Sequence, residues 1–473
     1  MEREMSQDPV IRQACADQDL AILFSTVGIG SVDLDELLKG FAKSSGYREL
    51  PFAPLMFVGH SAGGPPSGVL ATRFADRCFG LVQYRGGGPG NSDLPPGVPS
   101  LMMVGQYDEF GGTMRDADGV ESWQSSVEHI AQYRAKNNNA LSTIMIDPGR
   151  GHFAWSKKNS KFLSLWIRKA AEARIPACWP VDTEIPVTAK QVNYNKGYLI
   201  SMDAISNASE EQLYAADRFP GDKNSALWLF DRELAEAWIR YHAGQFNKKD
   251  QFIEWSDPYD VESGTRFFFT DIAWTGPDTF VVHPRYSEVY PSQIDGKGPI
   301  WLEHGQAVGH SCSPIQLKHV SGPVRWISDN KFQVHFTALT PPFGGRQRVT
   351  FMAYSAGDTD YRYTERPGML PHNFLSSREG QPQTIAFPKI PDQSADVNSL
   401  QLKATADSGF PVRYYIQQGP ASIQGSTLEI QQIPLRASYP IEVTVVAWQS
   451  GSALTPKIKA AEPVKQTFLI TGP

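Results

Sequence analysis

Residues 54–64, Pro-Leu-Met-Phe-Val-Gly-His-Ser-Ala-Gly-Gly, restrict the fold of this chain more than any other stretch. An apolar run of strand type ends in Gly59-His60-Ser61-Ala62-Gly63 and passes directly into helix-compatible sequence. That order predicts a buried strand, a sharp turn and a helix start. So tight a bend needs small residues two before and two after its centre, and Gly59 and Gly63 meet that need. In a parallel sheet, reactive groups collect just past the carboxyl ends of the strands. Ser61 is therefore the candidate nucleophile; the alternative use of a serine here is to cap the following helix.

The flanking sequence alternates apolar runs with amphipathic ones. Residues 20–24, 79–84, 101–104 and 141–146 read as strands. Asp33 and Glu36 precede Leu34, Leu37, Leu38, Phe41 and Ala42 at the spacing of one helical face, closed by Gly46. Further helices carry Val69, Leu70 and Phe74, then Val120, Trp123, Val127 and Ile130, then Phe162, Leu163, Trp166 and Ile167. Strands and helices in alternation predict a parallel sheet covered on both faces. From about residue 180 the pattern changes: one helix is expected over 225–242, and beyond 251 short alternating strands with Gly and Pro turns predict antiparallel sandwiches.

The fold class expected is multidomain α/β plus β. Residues 1–178 form a partial parallel-sheet domain, 179–250 a helical connector packed on it, 251–378 a β-sandwich and 379–473 a second one. A chain of 473 residues needs about three such units. Its net charge of −6 shows no basic stripe, which excludes a nucleic-acid partner. No apolar run reaches the roughly 20 residues a membrane span needs. Cys15, Cys78, Cys178 and Cys312 lack C-x-x-C spacing, which argues against zinc and leaves disulfides undecided. No metal or cofactor is expected.

A serine hydroxyl is a weak nucleophile and needs a base oriented by a carboxylate. His152, in Pro148-Gly149-Arg150-Gly151-His152-Phe153, follows the last strand of the α/β region and is the candidate base. Asp108 follows the strand at 101–104 and is the favoured acid, with Glu109 the alternative. The backbone N–H of Ala62, next after the nucleophile, is the candidate oxyanion donor. Arg85 with Gly86-Gly87-Gly88 falls either on the rim of such a site or in a solvated loop. Tyr107, Phe153 and Trp155 serve either a pocket for sugar or apolar groups, or core packing.

The segments Gly59-His60-Ser61-Ala62-Gly63-Gly64, Gly105-Gln106-Tyr107-Asp108-Glu109-Phe110 and Gly151-His152-Phe153 resemble serine esterases of the α/β-hydrolase superfamily, including bacterial dienelactone-hydrolase and polyester-depolymerase-like groups. The resemblance covers about residues 1–176. It implies Ser61 as nucleophile, Asp108 as acid, His152 as base and Ala62 N–H as oxyanion donor, acting on a carboxylic ester such as an acylated polysaccharide or a polyester. Against that pattern stand Pro65-Pro66 in the first turn of the helix and a missing second oxyanion loop: the three opening strands of such a sheet would lie upstream of Met1. The expectation is a chain shortened at its N-terminus or a domain without its opening strands. Residues 383–393, 404–412 and 419–423 are similar to bacterial Ig-like repeats, which implies a secreted or cell-surface protein, although the N-terminus shows no signal-peptide pattern. The other class of reading is a non-catalytic extracellular binding or adhesion protein with a degenerate hydrolase-like domain.

Overall fold

The computed structural model describes residues 2–24, 33–89, 94–108, 121–179, 184–244, 246, 248–255, 269, 272–290, 305–342, 348–370, 375 and 379–472. Helices α1 (Glu2–Gln7), α2 (Pro9–Ala16) and α3 (Leu34–Ser45) lead into strand β1 (Leu55–His60). Then come α4 (Gly64–Arg73), β2 (Cys78–Tyr84), β3 (Ser100–Gly105), α5 (Ser122–Lys136), β4 (Ser142–Asp147) and α6 (Lys157–Arg174). The four strands form one parallel sheet in the order β1-β2-β3-β4. Every residue of β2 and of β4 is buried, which a parallel sheet achieves only with cover on both faces.

Local signals explain the helices. Asp33 caps α3 through the N–H groups of Asp35 and Glu36, and Gly46, at φ 78°, takes the left-handed conformation that ends it. Pro65 and Pro66 sit in the first turn of α4, where N–H groups have no intrahelical acceptor, so neither interrupts the helix. The 20–24 run is not a strand. Leu20 leans on the core, whereas Ile22, Leu23 and Phe24 are exposed; five apolar residues carry too little periodicity to specify a strand. Strand β1 is consequently an outer strand of the sheet among the described residues, with Val58 43% exposed.

The expected helix over 225–242 divides in two. Ala226–Leu229 is a buried strand, β7, which with β5 (Tyr198–Ser201) and β6 (Leu213–Ala215) makes an antiparallel sheet; α7 (Arg232–His242) follows. Apolar residues at 227, 230 and 234 fit a helix face, but the same run with both faces buried serves a strand equally. Residues 179–250 are thus not simply helical. Leu227, Leu229, Leu234 and Trp238 join the core of the parallel sheet.

Helix α7 also seals the sheet at β4. The Trp238 indole donates to the Ile144 carbonyl (2.9 Å), and the Ile146 N–H donates to His242 Nε2 (3.2 Å), so side chains occupy backbone groups that an open edge would leave unpaired. His242 Nδ1–H donates to the Trp238 carbonyl (2.8 Å), which leaves Nε2 as the bare nitrogen. Burial first, with Lys158 adding to it, pushes the His242 pKa down to about 3 from 6.5. The unfolded chain takes up this proton below about pH 6.5 and the folded one only near 3, so stability is lost as pH falls through that window. The expected slope from this residue approaches ~1.4 kcal/mol per pH unit. Denaturant midpoints at pH 7 and pH 5 should separate further for the parent than for His242→Gln; an identical separation would contradict the assignment.

Beyond residue 250 the chain is β-rich. Strands Gln316–Ser321, Val349–Ser355 and Thr364–Leu370 form one antiparallel sheet, and Val324–Ser328, Lys331–Val334, Thr279–Val282 and Ile272–Trp274 another. Phe269, Phe280, Phe332 and Phe351 fill the space between. Tyr415, Val446 and Trp448, from past residue 379, belong to that same core, with Trp448 packed edge-on against Phe336 at 4.8 Å. The two β regions therefore share apolar packing at their join. The last region is not purely antiparallel: Gln393–Ser394 pairs parallel with Ile470 and Thr471.

Candidate active site

The bend after β1 is built by close backbone approach. Ser61 has φ +54°, a left-handed conformation that costs a non-glycine residue roughly 1–2 kcal/mol and so persists only where its surroundings impose it. A Cβ on Gly59 would fall 2.1 Å from the Gly63 carbonyl oxygen. One on Gly64 would fall 2.2 Å from the Gly86 oxygen, and one on Gly86 as near the Ser61 oxygen. Gly63, by contrast, faces open space. The small residue required after the serine is thus Gly64 rather than Gly63, and the triple-glycine loop is packed against the bend, not solvated. Ser61 is half-buried and Ala62 exposed at the start of a short 3-10 turn, where N–H groups lack helical acceptors.

His152 lies in the loop after β4 and Asp108 in the turn after β3, 4% and 6% exposed. His152 Nδ1 is 2.9 and 3.0 Å from the two Asp108 oxygens. That leaves Nε2 as the nitrogen able to face a hydroxyl. Asp108 and His152 are thus hydrogen-bonded to each other. Glu109 lies outside the described residues.

Several groups fix the His152 loop. His60 Nε2–H donates to the His152 carbonyl (3.3 Å), and the two rings are 5.1 Å apart. The Tyr84 hydroxyl donates to the Ala154 carbonyl, the Gly149 N–H to Gln106 Oε1 (2.8 Å), and the Gly151 N–H to Glu365 Oε1 (2.7 Å). His60 and Glu365 escape sequence reasoning. His60 is visible only as the variable residue of the motif, and Glu365 is 214 positions from its partner with no local signal.

Beneath these groups lies a buried ion pair. Arg85 Nη2 is 2.6 Å from Asp147 Oδ2, with the side chains 0% and 2% exposed, so Arg85 belongs neither to a rim nor to a solvated loop. Asp147 also accepts from Tyr241 (2.7 Å) and Asn159 (2.9 Å). Burial opposes its charge, but Arg85, Arg150 and those donors outweigh burial and hold the carboxyl below its usual range. For Arg85 burial likewise disfavours the charge, and Tyr84, Asp147 and Asp108 more than offset it. Burial pushes the Glu365 carboxyl up, with Arg150 and the Tyr363 hydroxyl opposing. Tyr107 is buried under the Arg362 guanidinium, 3.7 Å above its ring, whereas Phe153 and Trp155 line a cavity.

Among the described residues no group of three His, Cys, Asp or Glu side chains is placed to hold a metal ion, and no helix is long and apolar enough to cross a membrane. All four cysteines are free thiols, Cys15 and Cys78 buried, Cys178 and Cys312 exposed.

No family model matches the chain, and no curated protein does. Solved structures that match include human protocadherin-24 EC1-2 (form II), at 12% identity and TM-score 0.16 over 34% of this chain and 83% of that one. Drosophila N-cadherin EC1-4 matches at 11% identity and TM-score 0.15 over 47% and 48%, and mouse cadherin-23 EC22-24 at 15% and 0.14 over 48% and 64%. Likenesses at these TM-scores carry no argument about this chain. Its architecture stands on its own coordinates: mixed α/β, one four-stranded parallel sheet and several antiparallel sheets.

Proposed function

We propose that this protein is a serine hydrolase of α/β-hydrolase type that cleaves carboxylic esters. The observation that carries the reading is a serine held at positive φ on a strand-to-helix bend, in the same region as an Asp108-oriented imidazole. In this reading Ser61 Oγ attacks the ester carbonyl while His152 Nε2 takes its proton. Asp108 stabilises the imidazolium, and the Ala62 N–H donates to the oxyanion. The tetrahedral adduct expels the alcohol, which leaves with the proton from His152. Water, activated by the same imidazole, then releases the acid and restores Ser61.

A polymeric or surface-bound ester, polysaccharide or polyester, suits a chain whose second half is β-rich, and a secreted or cell-surface setting with Ig-like sandwich modules suits it too; both extensions rest on analogy. A fluorophosphonate probe tests the core of the proposal. Labelling of the full chain that disappears in Ser61→Ala is the expected result. The second reading, a non-catalytic binding protein with a degenerate hydrolase-like domain, draws on the β-rich second half of the chain. Absence of labelling in the correctly folded parent would favour it.

A further inference from the structure

A cavity of about 710 Å³ lies between the loop that carries His152 and the β-rich half of the chain. Its floor is residues 147–150 and 153–156, just past the carboxyl end of β4, and its far wall includes Met352, Tyr354, Tyr363 and Glu365. Phe153 lines it, and the same ring is 4.9 Å from the His152 imidazole. The volume is that of a small-molecule site.

Its charge is unlike that of the molecule. Six cationic side chains, Arg150, Lys158, Arg240, Lys248, Lys318 and Arg362, line it against two acidic ones, Asp147 and Glu365, on a chain of net charge −6. The two acids offset only part of the excess, and Asp147 is shared with Arg85, which lies outside the lining. Lys158 and Lys248 donate to the main-chain carbonyls of Tyr241 and Asp358, contacts that orient an ammonium without neutralising it. Arg362 is paired with Asp250, and Arg240 reaches Glu236 only at 3.7 Å. Burial lowers the Lys158 pKa, with Asp147 opposing and Arg150 adding to the shift, and a bound anion would favour the charged ammonium.

The rest of the lining is aromatic. Trp155 and Phe153 stand on the floor, and Tyr354 and Tyr363 stack on each other at 6.2 Å on the wall. Arg150 lies 3.3 Å over the Tyr363 ring, so the faces offered to a ligand are those of Phe153, Trp155 and Tyr354; beside the cations these match the ring face and the acid group of a charged sugar. We propose that this cavity binds an acidic sugar unit, a carboxylate- or sulfate-bearing part of a glycan chain, beside the loop that carries His152. That the bound glycan is also the ester substrate rests on the hydrolase reading; its binding does not.

The test is calorimetry on the full chain carrying Ser61→Ala, with trigalacturonic acid, a sulfated galactose trisaccharide and neutral galactotriose as probes. At least one acidic probe should bind about tenfold or more tighter than the neutral one, with affinity falling as salt rises. Which acidic probe wins separates carboxylate from sulfate recognition. The double variant Arg240→Gln, Lys248→Gln, at two accessible positions, should weaken acidic binding about tenfold. Tyr354→Ala should weaken all three probes; melting curves matching the parent's establish that either variant is folded. Equal affinity for neutral and acidic sugars would overturn the proposal. So would acidic binding unchanged in the double variant, or tighter binding of a nucleoside triphosphate than of either acidic sugar. Acidic binding without Ser61 labelling in the parent would keep the cleft and remove the esterase. Labelling without acidic preference would do the reverse.

Discussion

Asp108→Asn is expected to reduce ester hydrolysis by about ten-thousand-fold while leaving the fold intact. The carboxylate holds His152 with a proton on Nδ1 and the lone pair on Nε2, and in the proposed mechanism it stabilises the imidazolium formed during attack. An asparagine amide that donates to Nδ1 reverses the tautomer and leaves Nε2 unable to accept the Ser61 proton. The two side chains are nearly isosteric, so circular dichroism and melting should change little while kcat falls. Labelling by the fluorophosphonate should slow in parallel, because the same activated serine is read. An Asn variant with kcat within tenfold of the parent would remove Asp108 from the role and return attention to Glu109.

The second large effect is on stability. Asp147→Asn should destabilise the parallel-sheet unit by roughly 3–5 kcal/mol, because it leaves the Arg85 guanidinium charged, buried and without its counter-ion. Arg85 has little else to turn to: among the described residues its Nε and Nη1 lack hydrogen-bond partners. Removing both charges with Arg85→Met and Asp147→Leu should recover part of the loss, since an apolar pair needs no desolvation of ions. Recovery stays partial because Tyr241 and Asn159 lose their acceptor. Guanidinium unfolding of the single and double variants measures both quantities. A single variant within 1 kcal/mol of the parent would show that the buried charge is satisfied by other means.

The ion pair bears on the site as well as on stability. Arg85 and Asp147 stand at the carboxyl ends of β2 and β4, and β3, which leads to Asp108, lies between those strands. Loss of the pair should therefore loosen the strand ends from which the Asp108 turn and the His152 loop depart.

Much of the α/β half is legible in sequence because its signals are local. Apolar runs at 79–84, 101–104 and 141–146, the Asp33 cap with Gly46 at the far end of its helix, and Gly59 two residues before Ser61 each state their conformation within a dozen residues. The run at 20–24 and the helix expected from 225 show the limit. A short apolar segment satisfies more than one periodicity, and only the surface available to it decides: Ala226–Leu229 became a strand by pairing with Tyr198–Ser201.

The sequence by itself determined the bend at Ser61 and the chain order of serine, acid and histidine, because glycine spacing and strand-to-turn transitions are written in consecutive residues. Only the tertiary structure decided that Asp108 rather than a solvent-facing turn meets His152, that Arg85 is buried against Asp147, and that Glu365 holds the histidine loop from 214 residues away. Those pairings follow from desolvation. A buried charge or N–H takes whichever partner the packed chain brings within about 3 Å, and no local pattern encodes which one that will be.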